Sequence, residues 1–159
     1  VGNVVYDPTS DRMLVDVQET NELAVIEPSR LIVERRVGLP GCVHNHGLSL
    51  DASDRLAFVA CDHNVALLTV DLGEWQVINT NRVGPEPDVL AYDPAAHRLY
   101  VAAESGEASV LELAGRRGRS ARAIWRTGHT SSRSTPRPGT ATTPSQWTRT
   151  AGPRCWRRP

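Results

Sequence analysis

The chain has 159 residues, enough for one ordinary domain. Its formal net charge is zero, but the charge is segregated: all 18 acidic residues lie between Asp7 and Glu112, and from Arg116 onward there are eleven Arg and no acid. No apolar run reaches the roughly 18 residues that span a membrane, and the three Cys (Cys42, Cys61, Cys155) show no framework spacing and leave the redox compartment open.

Taken in chain order, the sequence repeats itself. Residues 4–15 read Val-Val-Tyr-Asp-Pro-Thr-Ser-Asp-Arg-Met-Leu-Val, and residues 48–59 and 90–101 follow the same scheme. An apolar strand comes first, then an Asp-Pro-type turn, then Arg and a second apolar strand. The anchor aspartates are Asp7, Asp51 and Asp93, so the spacings are 44 and 42 residues. Asp suits the turn because its carboxylate bonds the backbone two residues on, and Pro presets φ at the first turn position. A third strand is predicted at Leu23–Ile26, Val65–Val70 and Ser109–Leu113, and a fourth at Leu31–Val37 and Trp75–Asn81. The head shows no helical period. A β-sandwich also has many short strands, but a fixed period of 40–45 residues with four strands per unit marks a β-propeller. The expected fold is therefore all-β: a partial β-propeller of four-stranded antiparallel blades. Two blades are full (about 1–41 and 42–84) and a third is nearly so (85–114). An irregular tail, 115–159, follows.

Residues 116–159 are rich in Arg, Ser, Thr and Pro and carry no periodicity. That composition reads as a disordered basic tail or as an arm for an anionic partner. A third reading rests on the genetic code. In a shifted frame, residues 129–145 can encode HVVAVDPATGHRYYPV, another strand, Asp-Pro turn, Arg and strand. The new Asp would fall at Ser134/Thr135, about 42 positions after Asp93. On this reading the frame breaks near Gly115–Arg122, the tail is a lost blade, and its charge implies no nucleic-acid partner. A propeller closes with roughly four to eight blades. An open arc exposes sheet faces, so the chain as written is expected to be insoluble or molten.

The segment Arg98-Leu99-Tyr100-Val101-Ala102-Ala103, with its preceding Asp-Pro turn, resembles the YVTN-repeat family over about residues 1–114. The motif slot is degenerate elsewhere: Leu14-Val15-Asp16-Val17 and Phe58-Val59-Ala60-Cys61. The resemblance implies a bacterial, periplasmic or extracellular propeller. Val1 opens inside a strand-like run, so the natural start is expected to lie upstream.

Candidate site residues follow from hairpin geometry. Pairing about the Asp51 turn brings residues 44–46 to 60–62. Cys42, His44 and His46 alternate, and with Cys61 and His63 they form a candidate divalent-metal set. The bland alternative is that His46-Gly47 begins an inner strand and Cys61 is a small buried residue. The same geometry sets Asn3 beside Asp16 and Asp88 beside Glu104. With Asp62 these make a polar, acidic rim for a ligand. There is no Gly-rich phosphate loop, nucleophile elbow or His-Glu-x-x-His. Gluconolactonase-like propellers hold a metal through a Glu, an Asn and an Asp, a pattern not matched here. The expected function is a non-catalytic binding or scaffold propeller, its partner a small molecule or protein. The alternative is a metal-dependent hydrolase or oxidoreductase with its site at the channel mouth.

Overall fold

The computed structural model describes residues 2–114 and the strand 120–126. Among the described residues, twelve strands form three four-stranded antiparallel sheets. The first holds β1 (Val4–Asp7), β2 (Arg12–Val17), β3 (Glu22–Glu27) and β4 (Ile32–Gly38). The second holds β5 (Asn45–Asp51), β6 (Leu56–Cys61), β7 (Ala66–Asp71) and β8 (Gln76–Arg82). The third holds β9 (Pro87–Asp93), β10 (Arg98–Ala103), β11 (Ala108–Ala114) and β12 (Ser120–Arg126). Each sheet is ordered as its strands follow in sequence. These are the expected propeller blades. The third runs past residue 114, because β12 pairs along the whole of β11. The shifted-frame unit at 129–145 lies outside the described residues.

The turns explain the repeat. Asp7, Asp51 and Asp93 each accept the N–H two residues on, from Thr9, Ser53 and Ala95 at 3.0, 3.1 and 2.9 Å. Asp71 does the same for Gly73 at 2.7 Å in the β7–β8 turn. Four residues after the leading acid, the chain takes a left-handed residue that aims it into the next strand. Asp11, Leu31, Arg55, Trp75 and His97 fill this place with φ between 50 and 57°. Leu31 and Trp75, predicted as first residues of strands, therefore belong to turns. Val65 (φ 53°) does likewise, after a 3-10 turn at Asp62–Asn64. An apolar side chain marks burial, not φ, so a pattern argument draws these strands one residue early.

Packing between blades supplies the core. Every residue of β6 and β7 is buried, because the middle blade is covered on both faces. Ala57, Val59, Cys61, Leu68 and Val70 pack with Leu14, Leu23 and Val25 of the first blade. The opposite face sets Leu56, Phe58 and Leu67 against Leu99, Val101 and Leu111 of the third. Each fully buried aliphatic side chain of this kind contributes roughly 1.5–3 kcal/mol. The anchor aspartates also join blades. The Arg55 guanidinium pairs with Asp7 of the preceding blade. Burial pushes the Asp7 carboxyl up, yet hydrogen bonds from Ser10, Arg55 and Thr9 outweigh it and hold the group below its ordinary value. Tyr92 of the third blade hydrogen-bonds Asp51 of the second and packs on Phe58 at 5.5 Å between ring centroids.

At the inner edge β5 approaches β9 closely. A Cβ on Gly47 would lie 2.2 Å from the Asp88 carbonyl oxygen and 2.4 Å from Leu90. The oxygen is backbone and cannot step aside without moving a strand. Gly47→Ala is thus expected to cost about 2 kcal/mol, read as a lower urea midpoint with an unchanged m-value. An unchanged midpoint would show that the two inner strands are free to separate.

Candidate functional site

The site grows from three positions of the repeat. Eleven residues after the anchors stand Gln18, Asp62 and Glu104; seven before Asp51 and Asp93 stand His44 and Glu86; five before them stand His46 and Asp88. Each element has a reason to present these side chains at one rim. His44 and Glu86 both adopt left-handed backbone (φ 63 and 55°), so the chain turns as it enters β5 and β9. The next hydrogen bonds match: Asp62 N–H donates to the His44 carbonyl at 3.2 Å, and Glu104 N–H to the Glu86 carbonyl at 2.9 Å. Asn45 faces Cys61 and Gly47 faces Ala60, which leaves His46 bulged out of register. Asp88 is bulged in the same way in the third blade. A bulge re-aims its side chain, and here it turns His46 and Asp88 toward one another, Nε2 to Oδ1 at 3.4 Å.

These residues line a cavity of about 350 Å³, bordered by Gln18, His44, His46, Asp62, His63, Glu86, Pro87, Asp88 and Glu104. Three histidines approach the Asp62 carboxylate. His44 Nδ1 lies 2.9 and 3.0 Å from the two carboxylate oxygens, His63 Nε2 lies 3.7 Å from one, and His46 Nδ1 lies 3.9 Å from the other. The His44 and His63 rings stack, with centroids 4.2 Å apart and planes 7° from parallel. The loop carrying His44 is tied down from several sides. Asn21 accepts the His44 N–H at 2.6 Å, and Asn64 accepts the Val43 N–H and donates to the Gly41 carbonyl.

The structure thus gathers six of the predicted residues: His44, His46, His63, Asp62, Asp88 and Glu104. Two predictions are corrected. Cys42 and Cys61 are joined in a disulfide with their Cα atoms 5.4 Å apart, so neither thiol is free to bind a metal. Cys42 does not share a side with His44 and His46, because β5 begins only at Asn45 and the turn at His44 breaks the alternation. Asp16 is not on the rim either. It shares a face of β2 with Leu14, and that face packs on the second blade, so its carboxylate is fully buried. Asn45 Nδ2 donates to Asp16 Oδ1 at 2.9 Å and to the Glu22 carbonyl at 3.0 Å. Asn3 stays beside Asp16 through backbone bonds, accepting the Asp16 N–H at 3.0 Å and donating its own N–H to His46. Neither lines the cavity.

Gln18, Glu86 and Pro87 were missed. The first two stand at repeat positions whose partners had already been singled out, Asp62 and Glu104 for Gln18, His44 for Glu86. Reading rim residues by repeat offset would have found them.

No family model matches the chain, and neither does any curated protein. Solved structures do. The chain is similar to hydrazine synthase of Kuenenia stuttgartiensis (TM-score 0.65, 16% identity, 78% of this chain and 35% of that one). It is similar to the β-propeller domain of Myceliophteria thermophila Cps50 (Swd1) (TM-score 0.62, 12% identity, 77% and 38%). A chain of the mitotic checkpoint complex matches with TM-score 0.63 and 7% identity, over 77% of this chain and 37% of that one. At these identities the likeness establishes the fold, a β-propeller arc. The chain spans little more than a third of each of these structures. Among the described residues no helix is long and apolar enough to cross a membrane.

Proposed function

We propose that this chain is part of a non-catalytic, ligand-binding β-propeller, and that the cavity at the blade ends takes a small cationic ligand. One observation carries the reading. Asp62, Glu86, Asp88 and Glu104 converge from two blades on one cavity of about 350 Å³. Among the described residues no Arg pairs with any of them; the ion pairs of Asp62 and Asp88 are all to His44, His46 and His63. A concave site lined by carboxylates focuses a field that concentrates cations.

The repeats support assignment to the YVTN-repeat kind of propeller, bacterial and exported. The Cys42–Cys61 disulfide supports the export, since such bonds persist in oxidising compartments. The shifted-frame reading of the tail is a proposal about the gene: codons for 129–145 that cannot yield a fourth repeat in the second frame would end it. A metal-dependent hydrolase or oxidoreductase is the second reading, favoured by the clustering of His44, Asp62 and His63.

The test is a thermal-shift screen of the full chain with putrescine, arginine, Ca²⁺, Zn²⁺, sulfate and citrate. At least one cation should raise the Tm, and the rise should vanish in a D62N/D88N double variant. No response to any cation, or a response to the anions alone, overturns the reading.

A further inference from the structure

We propose that His44, Asp62 and His63, with His46 as a fourth donor, form a binding site for one divalent transition-metal ion of the zinc class. This deepens the cation-site reading and rests on it. The ligand-capable atoms of His44, Asp62 and His63 all lie within 4.8 Å of one another. His46 stands outside that group, but its Nδ1 faces the same carboxylate at 3.9 Å and offers a third imidazole nitrogen. Three nitrogens and one carboxylate are a donor set for Zn²⁺, Ni²⁺ or Cu²⁺. Ca²⁺ needs six to eight oxygens and Mg²⁺ a near-octahedral oxygen shell. The cluster itself offers them only the Asp62 carboxylate.

The surroundings resemble the outer layer of a metal centre. An imidazole that binds a metal through one nitrogen commonly gives the other to a carboxylate, which fixes the ring. His46 has this arrangement, with Nδ1 toward Asp62 and Nε2 3.4 Å from Asp88. The backbone of His44 is anchored by Asn21. Beneath it the disulfide joins Cys42, two residues before His44, to Cys61, the neighbour of Asp62. The donors therefore sit on two segments already fastened together, and little ordering remains to be done on binding.

Closing on a metal requires the imidazoles to move: His46 must draw in, and the stacked pair must open. A metal held by an imidazole lone pair lies in the plane of that ring. Two stacked rings 7° from parallel have no such point in common. One ring must turn, and His63 is the one free to do so: its side chain is 62% exposed, against 32% for His44. His44 and Asp62 are thus the fixed donors and His63 the closing one.

The test uses the full chain and Zn²⁺ itself, by equilibrium dialysis with metal analysis and by titration calorimetry. The expected result is one equivalent bound at micromolar Kd or tighter, with Zn²⁺ favoured over Ca²⁺ at least a hundredfold. H44Q and D62N should each weaken binding tenfold or more, H63Q less, and H97Q, at the β9–β10 turn, not at all. Far-UV circular dichroism and metal-free Tm identify any variant that has lost its fold; H63Q, on an exposed side chain, keeps the comparison informative if H44Q or D62N is such a case. Absence of stoichiometric Zn²⁺, or binding indifferent to all three substitutions, overturns the proposal. If putrescine, arginine or Ca²⁺ stabilises the chain while Zn²⁺ does not bind, the metal assignment falls and the cation site stands. If nothing binds, both fall.

Discussion

Stability is expected to fall by up to about 4 kcal/mol as pH rises from about 4 to above 7, and Asp16→Asn to abolish most of that fall. The cause is one buried carboxyl. Burial between β2, β3 and β5 pushes Asp16 from its ordinary 3.8 up to about 7, against the opposing hydrogen bond from Asn45. The folded chain therefore holds a proton that the unfolded chain has released at these pH values. Stability from this group is fully present below the unfolded value and is lost as pH climbs through the folded one. About three pKa units at 1.36 kcal/mol each give the magnitude, as an upper bound. Asp7 and Asp51 work in the opposite sense, because in each case burial is outweighed by hydrogen bonds that lower the pKa. Their contribution disappears only as pH falls below the ordinary carboxylate value, so the two windows do not overlap. Asp16 Oδ2 and Asn45 Oδ1 are buried without hydrogen-bond partners. An amide at position 16 keeps an oxygen acceptor for Asn45 Nδ2 and cannot carry the charge. Urea denaturation of both proteins from about pH 4 to about pH 8 isolates the effect, since every other titrating group is common to them. Parallel curves for wild type and variant would place the Asp16 charge outside the energetics.

Reducing the Cys42–Cys61 bond should cost about 3 kcal/mol. The bond closes a separation of 19 residues, and a loop of that size loses roughly this much unfolded-state entropy when cross-linked. For a domain of this size the cost appears as a fall of about 10 °C in Tm. Both sulfurs are buried, Cys61 completely and Cys42 to 7% exposure, so reduction is slow until the chain opens. The effect reaches the cavity as well. Residues 42–44 are then held to Asp62–Asn64 by hydrogen bonds alone, and the His44–His63 stack should lose its fixed geometry. Calorimetric scans with and without reductant give the first result, and the His ring resonances in NMR spectra give the second. An unchanged Tm after verified reduction would mean that Asn64 and the backbone bonds carry the loop without the cross-link.

The fold was legible because its signals are local and repeated. The anchor aspartates at 7, 51 and 93 hold the same turn by the same carboxylate-to-backbone bond, and a turn of fixed chemistry recurs wherever its residues do. The middle blade was also visible in outline. Leu56–Cys61 is continuously apolar where Arg12–Val17 is interrupted by Asp16, and a strand covered on both faces needs no polar side. The approach of residues 44–46 to 60–62 followed from hairpin pairing alone, and it holds in the structure.

The fate of individual side chains was not decided at that level. Cys42, His44 and His46 alternate in sequence, and an ideal strand would point them one way. A left-handed residue at His44 and a bulge at His46 separate them: Cys42 turns into the core to meet Cys61, and the histidines face Asp62. Asp16 looked like a rim residue because hairpin pairing about the Asp7 turn sets it beside Asn3 at the end of its strand. The packing of one blade on the next buried it away from any ligand and raised its pKa. By itself the sequence determined the repeat, its turns and the blade order, all set by short-range bonds between residues a few positions apart. Only the tertiary structure decided which polar side chains are ligands and which are core, because that depends on the sheet packed against them, and the sheet comes from 40 residues away.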